Sequence, residues 1–123
     1  MKEKIVIVSG IYDPLSFHDV CFFHVCKSYG DWLIVGLHSD ANLEKYHSGY
    51  TQSFEERKRT IESVSYVDEI FAFKDADGTA KNLIKNVMKC YPDAEIFYFS
   101  EHDMMDSKES KIRGVTFVQI VED

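Results

Sequence analysis

A chain of 123 residues is long enough for one domain with a core and too short for two. Its 14 basic and 21 acidic residues, a net charge of -7, exclude tracking along long nucleic acid, which needs clustered Lys and Arg to displace counterions. The N-terminal apolar run at residues 5–8 is too short for a signal segment or a membrane span, and Cys21, Cys26 and Cys90 are odd in number with no Cys-x-x-Cys spacing, so a cytoplasmic protein with buried thiols and no membrane partner is expected.

The β-branched run at residues 4–9 ends at Gly10 and has the continuous apolar character of a strand buried on both faces. After Asp13-Pro14, Ser16 with Asp19 three positions later forms a capping-box pattern, and a helix is expected over about residues 17–29, stopped by Gly30. A second buried strand falls at residues 32–37. The polar stretch 38–52 is the longest expected loop, and long ordered loops often carry function. Ser53 with Glu56 caps a further helix running to about Ser65 on the apolar stripe of Phe54, Ile61 and Val64. The basic cluster Arg57-Lys58-Arg59, followed by Glu62, is expected to form a solvated helix face.

A strand at residues 69–73, a turn at 75–78 and a helix built on Leu83, Ile84, Val87, Met88 and Tyr91 come next, with Pro92 as its stop. Residues 96–99 and 116–121 supply the last two strands, separated by a polar, partly helical segment from Glu101 to Arg113. Alternating β and α units imply one α/β domain over residues 1–123, a parallel sheet joined by right-handed crossovers and covered on both faces.

In such sheets the ligand site lies beyond the carboxyl ends of the strands, where the strand order reverses. Four segments are expected there: residues 10–19, residues 39–47, Asp68 with the residues after Phe73, and residues 100–103. Gly10 permits close backbone approach to a phosphate, and the helix that follows offers free N–H groups at its positive end. His18, His24, His38, His47 and His102 have no compact zinc spacing, so no metal ligand set is assigned.

Several strings occur together in order: Gly10-Ile11-Tyr12-Asp13, Gly30-Asp31-Trp32-Leu33-Ile34-Val35-Gly36, Ser39-Asp40, Asn42-Leu43-Glu44-Lys45, Phe54-Glu55-Glu56-Arg57-Lys58 and Tyr66-Val67-Asp68-Glu69. Through them nearly the whole chain resembles the glycerol-3-phosphate cytidylyltransferases of the HxGH nucleotidyltransferase superfamily. Tyr91-Pro92-Asp93-Ala94-Glu95-Ile96 also resembles small cytidylyltransferase-like proteins carried by bacteriophages. The resemblance implies a Rossmann-like three-layer α/β/α fold with a five-stranded parallel sheet in the order 3-2-1-4-5. It implies transfer of CMP from CTP to a phosphorylated alcohol with Mg²⁺ carried by the nucleoside triphosphate, and a homodimer. Such chemistry consists mostly of positioning and of neutralising phosphate charge.

Carried over by position, the resemblance places Gly10, Ile11, Tyr12, Asp13, Asp40, Asp68 and Asp103 at the nucleotide, with Lys45 and Arg57 as the remaining cations. Ser16 and Asp19 stand where the superfamily has its two motif histidines, His18 stands at the glycine between them, His47 at a loop lysine and Ser65 at an arginine. A carboxylate at position 19 repels polyphosphate. His18 either obstructs the pocket or supplies a displaced donor. A further signature, Arg-Thr-x-Gly-Ile-Ser-Thr, would begin where the sequence given ends, at Glu122-Asp123. The expectation is a cytidylyltransferase-like protein with activity reduced or lost; the alternatives are an active enzyme rewired around His18, Lys45, His47 and Arg57, or a protein-interaction module.

Overall fold

The computed structural model describes residues 3–102, 104 and 107–121. The elements run β1 (Lys4–Gly10), α1 (Phe17–Lys27), β2 (Trp32–Leu37), α2 (Asp40–Tyr46), α3 (Phe54–Glu62), β3 (Glu69–Ala72), α4 (Lys81–Cys90), β4 (Glu95–Ser100), a 3₁₀ turn (Glu109–Lys111) and β5 (Val115–Gln119). All five strands are parallel, in the order β3-β2-β1-β4-β5. The expected α/β sheet and its strand order are therefore observed. β1 lies at the centre, pairing with β2 on one side and β4 on the other.

Because successive side chains on a strand point to opposite faces, the wholly buried run Ile5, Val6, Ile7 and Val8 serves two cores at once. Val6 and Val8 pack with Phe22, Phe23 and Cys26 of α1 and Ile61 of α3. Ile5 and Ile7 pack with Leu83, Ile84 and Val87 of α4. One helix pair thus covers one face and α4 the other, giving the three layers. No helix among the described residues is long and apolar enough to cross a membrane.

Two expectations need correction. The stretch 38–52 is not a plain loop: Ser39 caps α2 by accepting from the Asn42 amide, and Leu43 is fully buried. Seven residues with few apolar side chains present no stripe for periodicity to detect. Cys26 is buried as expected, but Cys21 is partly exposed and Cys90 is exposed. Burial, and secondarily the charge of Glu101, pushes the Cys26 thiol up to about 12, so it remains a neutral packing group.

Asp75 fastens the β3–α4 turn to the start of α2. Its carboxylate, 5% exposed, accepts from the Ser39 amide and hydroxyl (2.7 Å each) and faces His38 Nδ1 at 3.0 Å; the Asn42 side chain donates to its backbone oxygen. Burial pushes this carboxyl upward, but the Ser39 donors and His38 outweigh it and hold its pKa below the usual range. A carboxyl depressed on folding stabilises fully above its unfolded pKa, roughly 4, and loses that stabilisation as pH falls through the lower folded value. Asp75→Asn should therefore lower the urea midpoint at neutral pH and show a smaller loss than the native chain between about pH 4 and lower values.

Close packing of α4 on the sheet makes a second test. A Cβ on Gly36 would lie 2.1 Å from Leu83 Cδ2, and Leu83 is fully buried with no room to swing away. Gly36→Ala should cost about 1–3 kcal/mol in urea unfolding.

Candidate functional site

The strand order reverses at β1, and the segments leaving β1 and β4 form a pocket of about 310 Å³ beyond their carboxyl ends. Its lining includes Gly10, Ile11, Tyr12, Asp13 and Asp19 from the first crossover and Ser100, Glu101 and His102 from the last. On its floor Ser9 Oγ and Tyr98 Oη lie 2.6 Å apart, joining β1 to β4.

Gly10 is needed here for the chain's own ring. A Cβ at Gly10 would stand 2.7 Å from Tyr12 Cζ. Tyr12 itself adopts a left-handed backbone with φ of +50°, a conformation costing about 1–3 kcal/mol for a non-glycine residue. Burial of its ring, edge-on to Phe23 at 5.3 Å, offsets that cost.

The helix N-terminus facing the pocket carries its own anion. Ser16 caps α1, and the Asp19 carboxylate accepts from the Ser16 amide and hydroxyl, both at 2.9 Å, while the Asp19 amide donates to Ser16 Oγ. This is the capping box expected from the residues, and it satisfies two of the backbone donors at that end and sets a carboxylate there. Asp13 is likewise committed, accepting from the Thr51 and Gln52 amides at 2.6 and 2.7 Å. His18 Nε2 lies 2.5 Å from Glu101 Oε2; since a carboxylate only accepts, the ring donates, clasping α1 to the end of β4.

The pocket is consequently acidic: Asp13, Asp19 and Glu101 line it, and among the described residues no Lys or Arg does. Its neighbours register that field. The Tyr12 hydroxyl is pushed well above its ordinary pKa by burial first and then by Asp19 and, more weakly, Glu101.

The cations expected at the nucleotide do not line this pocket. Arg57 is fully buried, correcting the expectation of a solvated face for its cluster; Lys58 is half-buried and Arg59 exposed. Its guanidinium donates to the carbonyls of Ile11, His38 and Gln52 at 3.0, 2.9 and 3.0 Å and to Asp40 Oδ1 at 2.8 Å. Asp40 is thereby accounted for as its partner. Lys45 is exposed and donates to the Ala76 carbonyl at 3.2 Å, away from the pocket, and His47 is the exposed C-cap of α2. Asp68 sits at the opposite, amino end of the sheet, where it accepts from the Leu33 amide and Lys27 Nζ. Its place immediately before β3 was the available sign that it starts a strand rather than follows one. Asp103 lies outside the described residues. Glu101 was missed as a site residue: it pairs with a histidine 83 positions away, and nothing local marks the pair.

A parallel sheet with a pocket at its switch point defines a doubly wound α/β domain with its cleft where such folds take ligands. Comparison with known proteins narrows this, since the cytidylyltransferase-like family matches residues 7–122. The chain belongs to that family. It is 33% identical over 82 residues to glycerol-3-phosphate cytidylyltransferase of Bacillus subtilis, covering 66% of this chain and 63% of that one. It is 35% identical over 70 residues to a probable ethanolamine-phosphate cytidylyltransferase of Encephalitozoon cuniculi, covering 56% of this chain and 22% of the relative. The matched segments thus span less than two thirds of either relative's length. The fold is shared with a lipopolysaccharide core biosynthesis protein of Thermoplasma volcanium at a TM-score of 0.75, with 17% identity and 98% of both chains covered.

Because Arg57 is a buried charge with four acceptors, Arg57→Ala should act as a folding variant, costing about 3–5 kcal/mol in denaturant unfolding. Arg57→Lys, which keeps the charge and lacks the planar fork, should recover only part of this.

Proposed function

We propose that this protein keeps the cytidylyltransferase frame, as a cytoplasmic homodimer, while nucleotidyl transfer from CTP to a phosphorylated alcohol has been strongly reduced or lost. The observation that carries the proposal is the lining of the switch-point pocket: three carboxylates, no Lys or Arg among the described residues, and a helix N-terminus already holding Asp19. Two unit charges of one sign 6 Å apart repel by roughly 3 kcal/mol at an effective dielectric constant of about 20. Millimolar affinity corresponds to only about 4 kcal/mol. One or two such contacts with a triphosphate are enough to abolish useful binding.

A rewired active site would need His18 to leave Glu101 and Lys45 to leave the Ala76 carbonyl, with no observed contact rewarding either move. Mg²⁺ carried on the nucleotide would soften the repulsion without supplying the missing donors. Among the described residues no three His, Cys, Asp or Glu side chains are grouped to hold a metal themselves.

The test is release of pyrophosphate from CTP and Mg²⁺ in the presence of glycerol 3-phosphate. The proposal expects none above the protein-free rate; turnover near 1 s⁻¹, within the ordinary range of enzymes, would overturn it. Asp19→Asn with Glu101→Gln removes two charges while leaving side-chain oxygens to accept the same hydrogen bonds. That double variant should show a larger CTP-dependent rise in Tm than the native chain.

A further inference from the structure

The chain's most basic surface lies away from the switch-point pocket. Lys81 and Lys85 of α4 and Lys108, Lys111 and Arg113 of the β4–β5 connection surround a cleft of about 520 Å³, with Ile112 as the one uncharged lining residue. Five of the chain's 14 basic residues meet here, in a protein with 21 acidic ones. None of the five takes part in an ion pair among the described residues. Lys85, Lys108, Lys111 and Arg113 are exposed, while Ile112 is half-buried against the core beneath α4.

Five like charges without an ion pair among the described residues repel one another, and a multivalent anion would relieve that repulsion at every contact. Their field extends beyond the cleft. The exposed Asp77 carboxyl is held below its usual pKa first by the Thr79 amide and also by Lys81 and Lys108. The first turn of α4 adds to the positive potential, having no acidic residue and no side-chain cap, whereas α1, α2 and α3 each begin with a capping serine and an acid.

We infer that the cleft between α4 and the β4–β5 connection is a binding site for a compact polyphosphate anion, one carrying at least two phosphate groups. Five cations carry more positive charge than a single phosphate neutralises. A long polyanion would run from the cleft onto a surface whose remaining charge is strongly acidic. The half-buried Ile112 gives such a ligand an apolar floor between charged walls. The inference is independent of what the switch-point pocket does, and its failure would leave the reading of that pocket unchanged.

Titration calorimetry of the full chain with sodium tripolyphosphate, at low salt and again at about 0.15 M, tests it. Saturable binding that weakens with salt is expected, and Lys85→Glu with Lys111→Glu should reduce affinity by about tenfold or more. Both positions are exposed, and a preserved amide spectrum will show that the variant is folded. In the native chain, tripolyphosphate should shift the amides of residues 81–85 and 108–114 and leave those of residues 11–19 in place. Absence of saturable binding, equal affinity in the double variant, or shifts concentrated at residues 11–19 would overturn the site. Tighter binding of a twelve-nucleotide oligothymidylate than of tripolyphosphate, at equal phosphate concentration, would overturn the compact-anion assignment.

Discussion

The buried guanidinium of Arg57 is the constraint on which the carboxyl end of this sheet depends. A charge withdrawn from water costs several kcal/mol unless it is surrounded by acceptors. Here the acceptors are the Ile11, His38 and Gln52 carbonyls and the Asp40 carboxylate, which come from the β1–α1 crossover, the β2–α2 turn and the approach to α3. One side chain thus fixes three connections. Asp13 braces the same region from the other side by holding the Thr51 and Gln52 amides.

That bracing has a consequence for chemistry. Four charged groups that could have addressed a nucleotide from these loops are bonded to the protein itself: Arg57 to carbonyls, Asp13 to amides, Asp19 to its own helix start, and His18 to Glu101. The clasp between His18 and Glu101 joins the two segments that flank the switch point, so the groups at the mouth of the pocket hold the two halves of the sheet together. Positive charge is concentrated instead in the cleft beside α4. The family's architecture is preserved, and the described residues lining its switch-point pocket include three carboxylates and no Lys or Arg.

The sheet was legible because its strands are buried on both faces and therefore appear as unbroken β-branched runs, as in Ile5 to Val8, and because Ser16 and Ser53 mark helix starts by local hydrogen bonds. The strand order came with the resemblance rather than from periodicity. α2 escaped notice because its support is tertiary: the Asn42 side chain donates to the Asp75 carbonyl, 33 residues away. The charged residues were hardest to place. Position in a family motif put Arg57 and Asp68 at a nucleotide, but Arg57 faces inward and Asp68 lies at the other end of the sheet. Nothing in the local sequence distinguishes a guanidinium that binds phosphate from one that binds three carbonyls.

Calorimetric titration of the native protein with CTP and Mg²⁺ would test the central claim most directly, because it measures the pocket without requiring an acceptor or a reaction. The acidic lining predicts no saturable heat at concentrations up to about 1 mM, the level at which binding is worth roughly 4 kcal/mol. Saturable, CTP-selective binding well below that concentration would contradict it, and would mean that the carboxylates lining the switch point yield to the triphosphate.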